Sequence, residues 1–205
     1  MSVRLPMFPL GTVLFPCAPL PLHIFEPRYR ALARHCIAGD GEFGVVLIER
    51  GFEVGGGDTR FDTGTVARLV EAAELPDGRW LITTLGTRRV RVTEWLPDDP
   101  YPLALVEDLP DLTVDGPGAD LVARAEQAVR RALAYKAELD EPAVPATVAL
   151  DEDPERRMFQ LAAIAPLGPV DQQRLLEAAS ANDLLTRLAE LAEDAATLLA
   201  YRLSG

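Results

Sequence analysis

Two hydrophobic rhythms divide the chain. Through the first half, apolar positions alternate with polar ones or cluster in short runs; in the second half they recur every three to four residues. Val3, Leu5 and Met7 alternate with Arg4, Pro6 and Phe8, which predicts a strand over 3–10 whose prolines suit a sheet edge. Gly11 and the Pro16–Pro21 stretch turn the chain, and Leu20–Phe25 reads as a second strand. Glu26-Pro27 opens a helix, since proline at the first helical position lacks only an amide that had no partner anyway. Tyr29, Leu32, Ala33, Cys36 and Ile37 fall on one face at helical spacing, with Arg28, Arg30, Arg34 and His35 off it. Gly39 is the expected left-handed stop. Phe43–Ile48 is a continuous apolar run, the mark of a covered strand. Residues 51–63 read as a loop around Gly55-Gly56-Gly57. Thr65–Leu75 and Trp80–Leu85 are strands joined by Pro76-Asp77-Gly78, a hairpin signal. Gly86 breaks or bends the ladder, Arg89–Trp95 continues it, and Leu103–Glu107 is the last strand.

Beyond Pro110 the texture changes. Residues 111–118 are turn-rich and read as a linker. Residues 119–139 carry an apolar stripe at Leu121, Val122, Ala125, Ala128, Val129, Ala132 and Leu133. A second helix spans 154–164, and Asp171 is expected to cap a third. Asn182 or Asp183 is expected to cap a fourth, with its stripe at Leu184, Leu185, Leu188, Leu191, Ala192, Ala195, Leu198 and Leu199. The pattern predicts an α+β protein. A mostly antiparallel sheet with one helix occupies 1–110 and closes into a pseudo-barrel, since closure hides strand edges. After the 111–118 linker, a helical bundle occupies 119–205.

The order and spacing of several phrases resemble the amino-terminal, substrate-binding domain of the Lon proteases. They are Leu5-Pro6-Met7-Phe8-Pro9-Leu10-Gly11, Pro21-Leu22-His23-Ile24-Phe25-Glu26-Pro27-Arg28-Tyr29 and Phe43-Gly44-Val45-Val46-Leu47. Gly64-Thr65-Val66-Ala67, Asp77-Gly78-Arg79 and Gly86 with Arg89, Val90 and Val92 follow. In the helical half the phrases are Gln173-Arg174-Leu175-Leu176-Glu177 and Asp183-Leu184-Leu185-Thr186-Arg187-Leu188. The resemblance spans nearly the whole chain. It implies a PUA-like pseudo-barrel of six or seven strands followed by helices. It also implies a non-catalytic module that binds unfolded or exposed polypeptide, alone or as an adaptor to a separate protease or chaperone in protein quality control.

The chain has 205 residues and a formal net charge of −12. Residues 1–110 hold 11 bases and 15 acids, and residues 111–205 hold 9 and 17. Neither half has the cationic excess that nucleic-acid backbones reward, although PUA-like barrels keep RNA binding as an alternative. Arg89 and Arg91 alternate with Val90 and Val92 and read as a solvated strand face. Two cysteines make no disulfide framework. With no signal-peptide pattern and no run near the ~20 apolar residues of a membrane span, a cytoplasmic setting is expected.

Catalytic chemistry finds few residues to work with. Lys136 is the only lysine and lies in no G-x-x-x-x-G-K-[ST] phrase. The serines are Ser2, Ser180 and Ser204, none placed for a Ser–Lys dyad. Cys17, His23, His35 and Cys36 have the residue types of a zinc site but not its spacing, so neither metal nor cofactor is expected. Glu26 suits a helix amino terminus, where backbone donors favour a carboxylate. Asp151-Glu152-Asp153 reads as a solvated helix start. For polypeptide contact the expectation falls on Phe52, Val54 and Phe61, apolar groups flanking the glycine-rich loop. A cleft between barrel and bundle is the rival site, for a polypeptide or a small molecule.

Overall fold

A computed structural model describes residues 2–50, 59–116 and 118–204. Its contacts divide the chain into two compact units, Met1–Asp111 and Leu112–Gly205. The first holds β1 (Val3–Leu10), β2 (Pro19–Ile24), α1 (Pro27–Ala38), β3 (Glu42–Arg50), β4 (Thr59–Glu74), β5 (Trp80–Leu96) and β6 (Leu103–Asp108). The second holds α2 (Gly118–Glu138), α3 (Pro154–Ile164), α4 (Pro169–Leu176) and α5 (Ala181–Ser204).

The six strands form one mixed sheet in the order β2-β5-β4-β3-β1-β6, and β5 also pairs with β6. The sheet is mostly antiparallel, as expected, but it is mixed and does not make a clean barrel. β1 and β3 run parallel, and β2 shares an edge of β5 with β6 instead of taking a place in the ring of pairings. The 17 residues of β5 permit this: Trp80–Leu85 pairs with β2, and Val90–Leu96 pairs with β6. Gly86 therefore lies inside one continuous strand and does not break it, but the β4–β5 ladder shifts register beside it, between Ala67↔Gly86 and Thr65↔Arg89. Leu5, Met7, Val46, Val66, Val90, Val92, Ala104 and Val106 form a buried cluster on the covered face.

β1 is interior, contrary to the edge placement its prolines suggested. Val3–Pro6 pairs with β6 and Met7–Leu10 with β3. The Met7 amide donates to the Pro102 carbonyl, so odd-numbered residues of β1 direct their nitrogens toward β6. Pro6 turns its nitrogen toward the β3 flank, one residue before that ladder begins. Pro9 turns its nitrogen toward the β6 flank, beyond the end of that ladder. Each missing donor falls where no partner strand needs it.

Other local expectations shift by a turn or less. Gly39 is not left-handed; Gly41 is, at φ +76°, and the amides of both donate to the Cys36 carbonyl. Ile37 is exposed at the edge of the α1 stripe. β4 begins at Thr59, so Thr59–Thr63 belongs to a strand and not to a loop. Arg89 is only 6% exposed. Its guanidinium donates to the Pro110 carbonyl at 2.8 Å, so it ties down the chain leaving β6 and does not face solvent. Burial pushes its pKa down.

In the second unit Asp153 caps α3, accepting from the amides of Glu155 and Arg156, with Pro154 at the first helical position. Gly168, not Asp171, caps α4. The Ser180 hydroxyl accepts the Asp183 amide at 3.1 Å, so the serine caps α5 in place of the two residues expected. Ala132 packs with Ala196 and Leu199 between α2 and α5, and Arg124 pairs with Glu193 across the same helices. Leu198, placed on the apolar stripe by its spacing, is exposed.

Candidate functional site

The richest surface of the first unit surrounds β2. Three cross-strand rows define it: Pro19–Leu85–Arg68, Pro21–Thr83–Glu71 and His23–Leu81–Ala73. Along β5 the odd-numbered side chains at 81 and 83 are exposed, while Trp80, Ile82 and Thr84 are buried, as alternation requires. The outward members enclose an open trough of about 420 Å³, lined by Pro21, His23, Leu81, Thr83, Glu71 and Ala73. Leu81 is 48% exposed. A register shift in β4 between Leu69 and Glu71 leaves Val70 outside the pairing, 63% exposed. Apolar groups displayed side by side in this way are a common feature of contact surfaces.

A second cavity of about 200 Å³ lies beside the same strand. Its walls come from Phe8 and Leu10 of β1, from Ile24, and from Phe25, Glu26 and Tyr29 around the start of α1. Phe8 stacks on Tyr29 with ring centroids 4.0 Å apart, and the Arg28 guanidinium lies 4.5 Å from the Tyr29 ring. Glu26 is the N-cap residue of α1, yet its side chain makes no capping bond. It takes Arg28 at 3.2 Å instead. Its carboxylate thus stands at the helix amino terminus, as expected, but its bond there is to Arg28 and not to a backbone amide. Pro21, Leu22 and His23 border both cavities.

The backbone of β2 is asymmetric. The Gly86 amide donates to the Ala18 carbonyl, one step before the Pro19–Leu85 pair. Hydrogen-bonded and unbonded pairs alternate in an antiparallel ladder, so Leu20, Leu22 and Ile24 turn their polar groups to β5. The Thr84 hydroxyl bond to the Leu20 carbonyl agrees with this. Pro19, Pro21 and His23 turn theirs to the other side, where no described strand pairs with β2. That edge offers three carbonyls and a single amide, that of His23.

Of the residues expected to touch polypeptide, the structure describes Phe61 alone. Phe61 is half-buried within β4; Phe52, Val54 and the three glycines lie outside the described residues. No group of three or more His, Cys, Asp or Glu side chains is placed to hold a metal ion among the described residues. Cys36 is buried in α1, and burial, reinforced by Asp40, pushes its thiol up to about 12. It is therefore a poor nucleophile and a poor ligand. The trough was missed in the sequence because its rows join β2 to β5 residues 58 to 66 positions away. The visible signal was the polar–apolar alternation at Pro21, Leu22 and His23. No described helix is long and apolar enough to cross a membrane.

Residues 4–194 match the family model described as the ATP-dependent protease La (LON) substrate-binding domain. The chain is 28% identical over 195 residues to Lon protease 2 of Herpetosiphon aurantiacus, covering 91% of this chain and 23% of that protein. It is 25% identical over 201 residues to the Lon protease of Escherichia coli K12, covering 96% of this chain and 25% of that protein. The chain thus spans about a quarter of the length of these relatives. Among solved structures, a Lon N-terminal domain protein from Xanthomonas campestris matches with a TM-score of 0.66 and 28% identity, covering 92% of this chain and 98% of that one. The N-terminal domain of a Mycobacterium avium complex Lon protease matches in fold, with a TM-score of 0.69 at 16% identity, over 94% of this chain and 99% of that one.

Proposed function

The chain belongs to the ATP-dependent protease La (LON) substrate-binding domain family, and on that premise we propose that it binds exposed polypeptide segments without cutting them. The observation that carries the reading is the trough beside β2, where Leu81 is displayed to solvent next to Pro21 and Ala73, with Val70 exposed in the adjacent bulge. A sheet surface with half-exposed aliphatic groups and a few polar ones suits a ligand that is itself apolar and extended. In this reading the protein is a cytoplasmic recognition module, alone or as an adaptor to a separate protease or chaperone. The PUA-like pseudo-barrel is its platform. The family match is to a substrate-binding domain, and Lys136, the sole lysine, lies in no nucleotide-binding phrase; both support a non-catalytic role. The segment carrying Phe52, Val54 and Phe61 is proposed as a second contact for the same chain.

Nucleic acid is the weaker alternative, because a net charge of −12 opposes a phosphate backbone. The test is binding of reduced, alkylated casein, followed by fluorescence anisotropy and by gel electrophoresis of the casein. Saturable binding with intact casein is expected. Absence of binding to casein, together with salt-sensitive binding to RNA, overturns the reading.

A further inference from the structure

We propose that the open edge of β2 accepts an extended polypeptide as an added strand, paired at His23 and alternating basic and apolar side chains. The inference rests on the polypeptide-recognition reading and deepens it by naming how the ligand is held.

Added strands are held by main-chain hydrogen bonds and selected by pockets for alternate side chains. Both requirements meet at β2. The edge presents the carbonyls of Pro19, Pro21 and His23 and the His23 amide. Pro19 and Pro21 remove the other donors, so His23 is the one position able to exchange both bonds with an incoming residue. Most of this edge accepts and cannot donate, which suits a ligand supplying amides and discourages pairing with a second copy of the same proline-bearing edge.

The pockets lie where an added strand would send its side chains. Successive residues point to opposite faces of a sheet. The trough is lined by the outward residues of β2, β5 and β4. The second cavity involves Ile24 together with Phe8, Leu10 and Tyr29, all buried. Each borders Pro21–His23, so neighbouring ligand residues reach one each. Glu71 is the one carboxylate lining the trough, beside the aliphatic Leu81 and Ala73. Glu71 stands on β4, two strands in from β2, so it takes a long basic side chain, its stem laid across Thr83 and Leu81, to carry a cation toward that carboxylate. The second cavity is aromatic and aliphatic, and its carboxylate, Glu26, is already paired with Arg28; it fits an apolar side chain.

The test uses a capped peptide of alternating arginine and leucine, with fluorescence anisotropy on the full chain. His23→Pro removes the edge amide, which does not serve the β5 ladder, while His23→Ala keeps it. His23→Pro should weaken binding roughly tenfold, the worth of one good hydrogen bond, and His23→Ala should leave most of the affinity. A peptide alternating glutamate and leucine should bind more weakly than the arginine peptide. As a check that does not depend on how the variant folds, the arginine peptide N-methylated at every second amide should lose binding to the wild-type chain in one of its two methylation registers. Equal binding by His23→Pro and wild type, or by both N-methylated peptides and the parent, overturns the added strand. If the chain binds casein but not the arginine–leucine peptide, this inference alone fails; if it binds neither, the recognition reading falls with it.

Discussion

The carbonyl oxygen of Phe15 occupies the space that a side chain at position 86 would need: a Cβ built on Gly86 would lie 2.1 Å from it. The approach is close because the 14–18 segment is strapped to the sheet. The Cys17 amide donates to the Gly86 carbonyl and the Gly86 amide to the Ala18 carbonyl, while the Thr65 hydroxyl donates to the Leu14 carbonyl at 2.6 Å. That segment leads directly into β2. Gly86→Ala forces the strap outward and is expected to destabilise the protein by about 3 kcal/mol, at the upper end of overpacking costs. Urea denaturation measures it, and a change indistinguishable from zero would show that the strap yields freely.

Arg89 makes a parallel case for a side chain. With its guanidinium buried and donating to the Pro110 carbonyl, Arg89→Ala should cost about 2 kcal/mol, the scale of a hydrogen bond from a charged donor. Arg89→Met should cost less, because an apolar chain of similar length refills the space and leaves no cation to desolvate. Denaturant titration measures both: a loss near zero for Arg89→Ala would show that the bond to Pro110 contributes little, and a methionine variant less stable than the alanine one would show that the space does not accept an apolar chain.

The Cys36 thiol sets a pH dependence. Its value in the folded protein is about 12, against an ordinary 9.0, so the unfolded chain ionises first as pH rises. Stability from this group is complete below pH 9.0 and declines toward pH 12, since the unfolded state then binds fewer protons than the native one. Cys36→Ala should flatten that decline. In the native protein at pH 8, a thiol reagent should modify Cys17, which is half-buried, well before Cys36. Equal rates for the two thiols would contradict the burial.

Residue patterns disclosed what depends on near neighbours. The face Tyr29–Leu32–Ala33–Cys36 followed from helical spacing alone, and the Asp77-Gly78 turn from the need for a positive φ, observed at +78°. What stayed hidden depends on distant partners. Pro6 and Pro9 suggested an edge because proline lacks a donor, but the relevant fact is which flank each nitrogen faces, and that needs the registers of β3 and β6. Arg89 read as solvated because alternation says nothing of a chain returning over the strand at Pro110. Likewise, no local pattern joins Pro21 to Thr83 and Glu71, which meet only through the β2–β5–β4 ladder.

Leu81 separates recognition from stability. It sits at the centre of the His23–Leu81–Ala73 row with about half of its surface exposed, so folding uses only part of its apolar area. An apolar ligand covering the rest would gain on the order of 1 kcal/mol. Leu81→Thr puts a β-branched residue, well suited to a strand, in its place and removes most of that apolar surface. Casein binding should weaken about fivefold, while the urea midpoint stays close to that of the wild type. Val70→Thr, in the adjacent bulge, should act in the same direction with a smaller effect, because Val70 is not among the residues lining the trough. Should Leu81→Thr bind casein as tightly as the parent protein, the ligand surface must be sought away from this face, beginning with the Phe52–Phe61 segment.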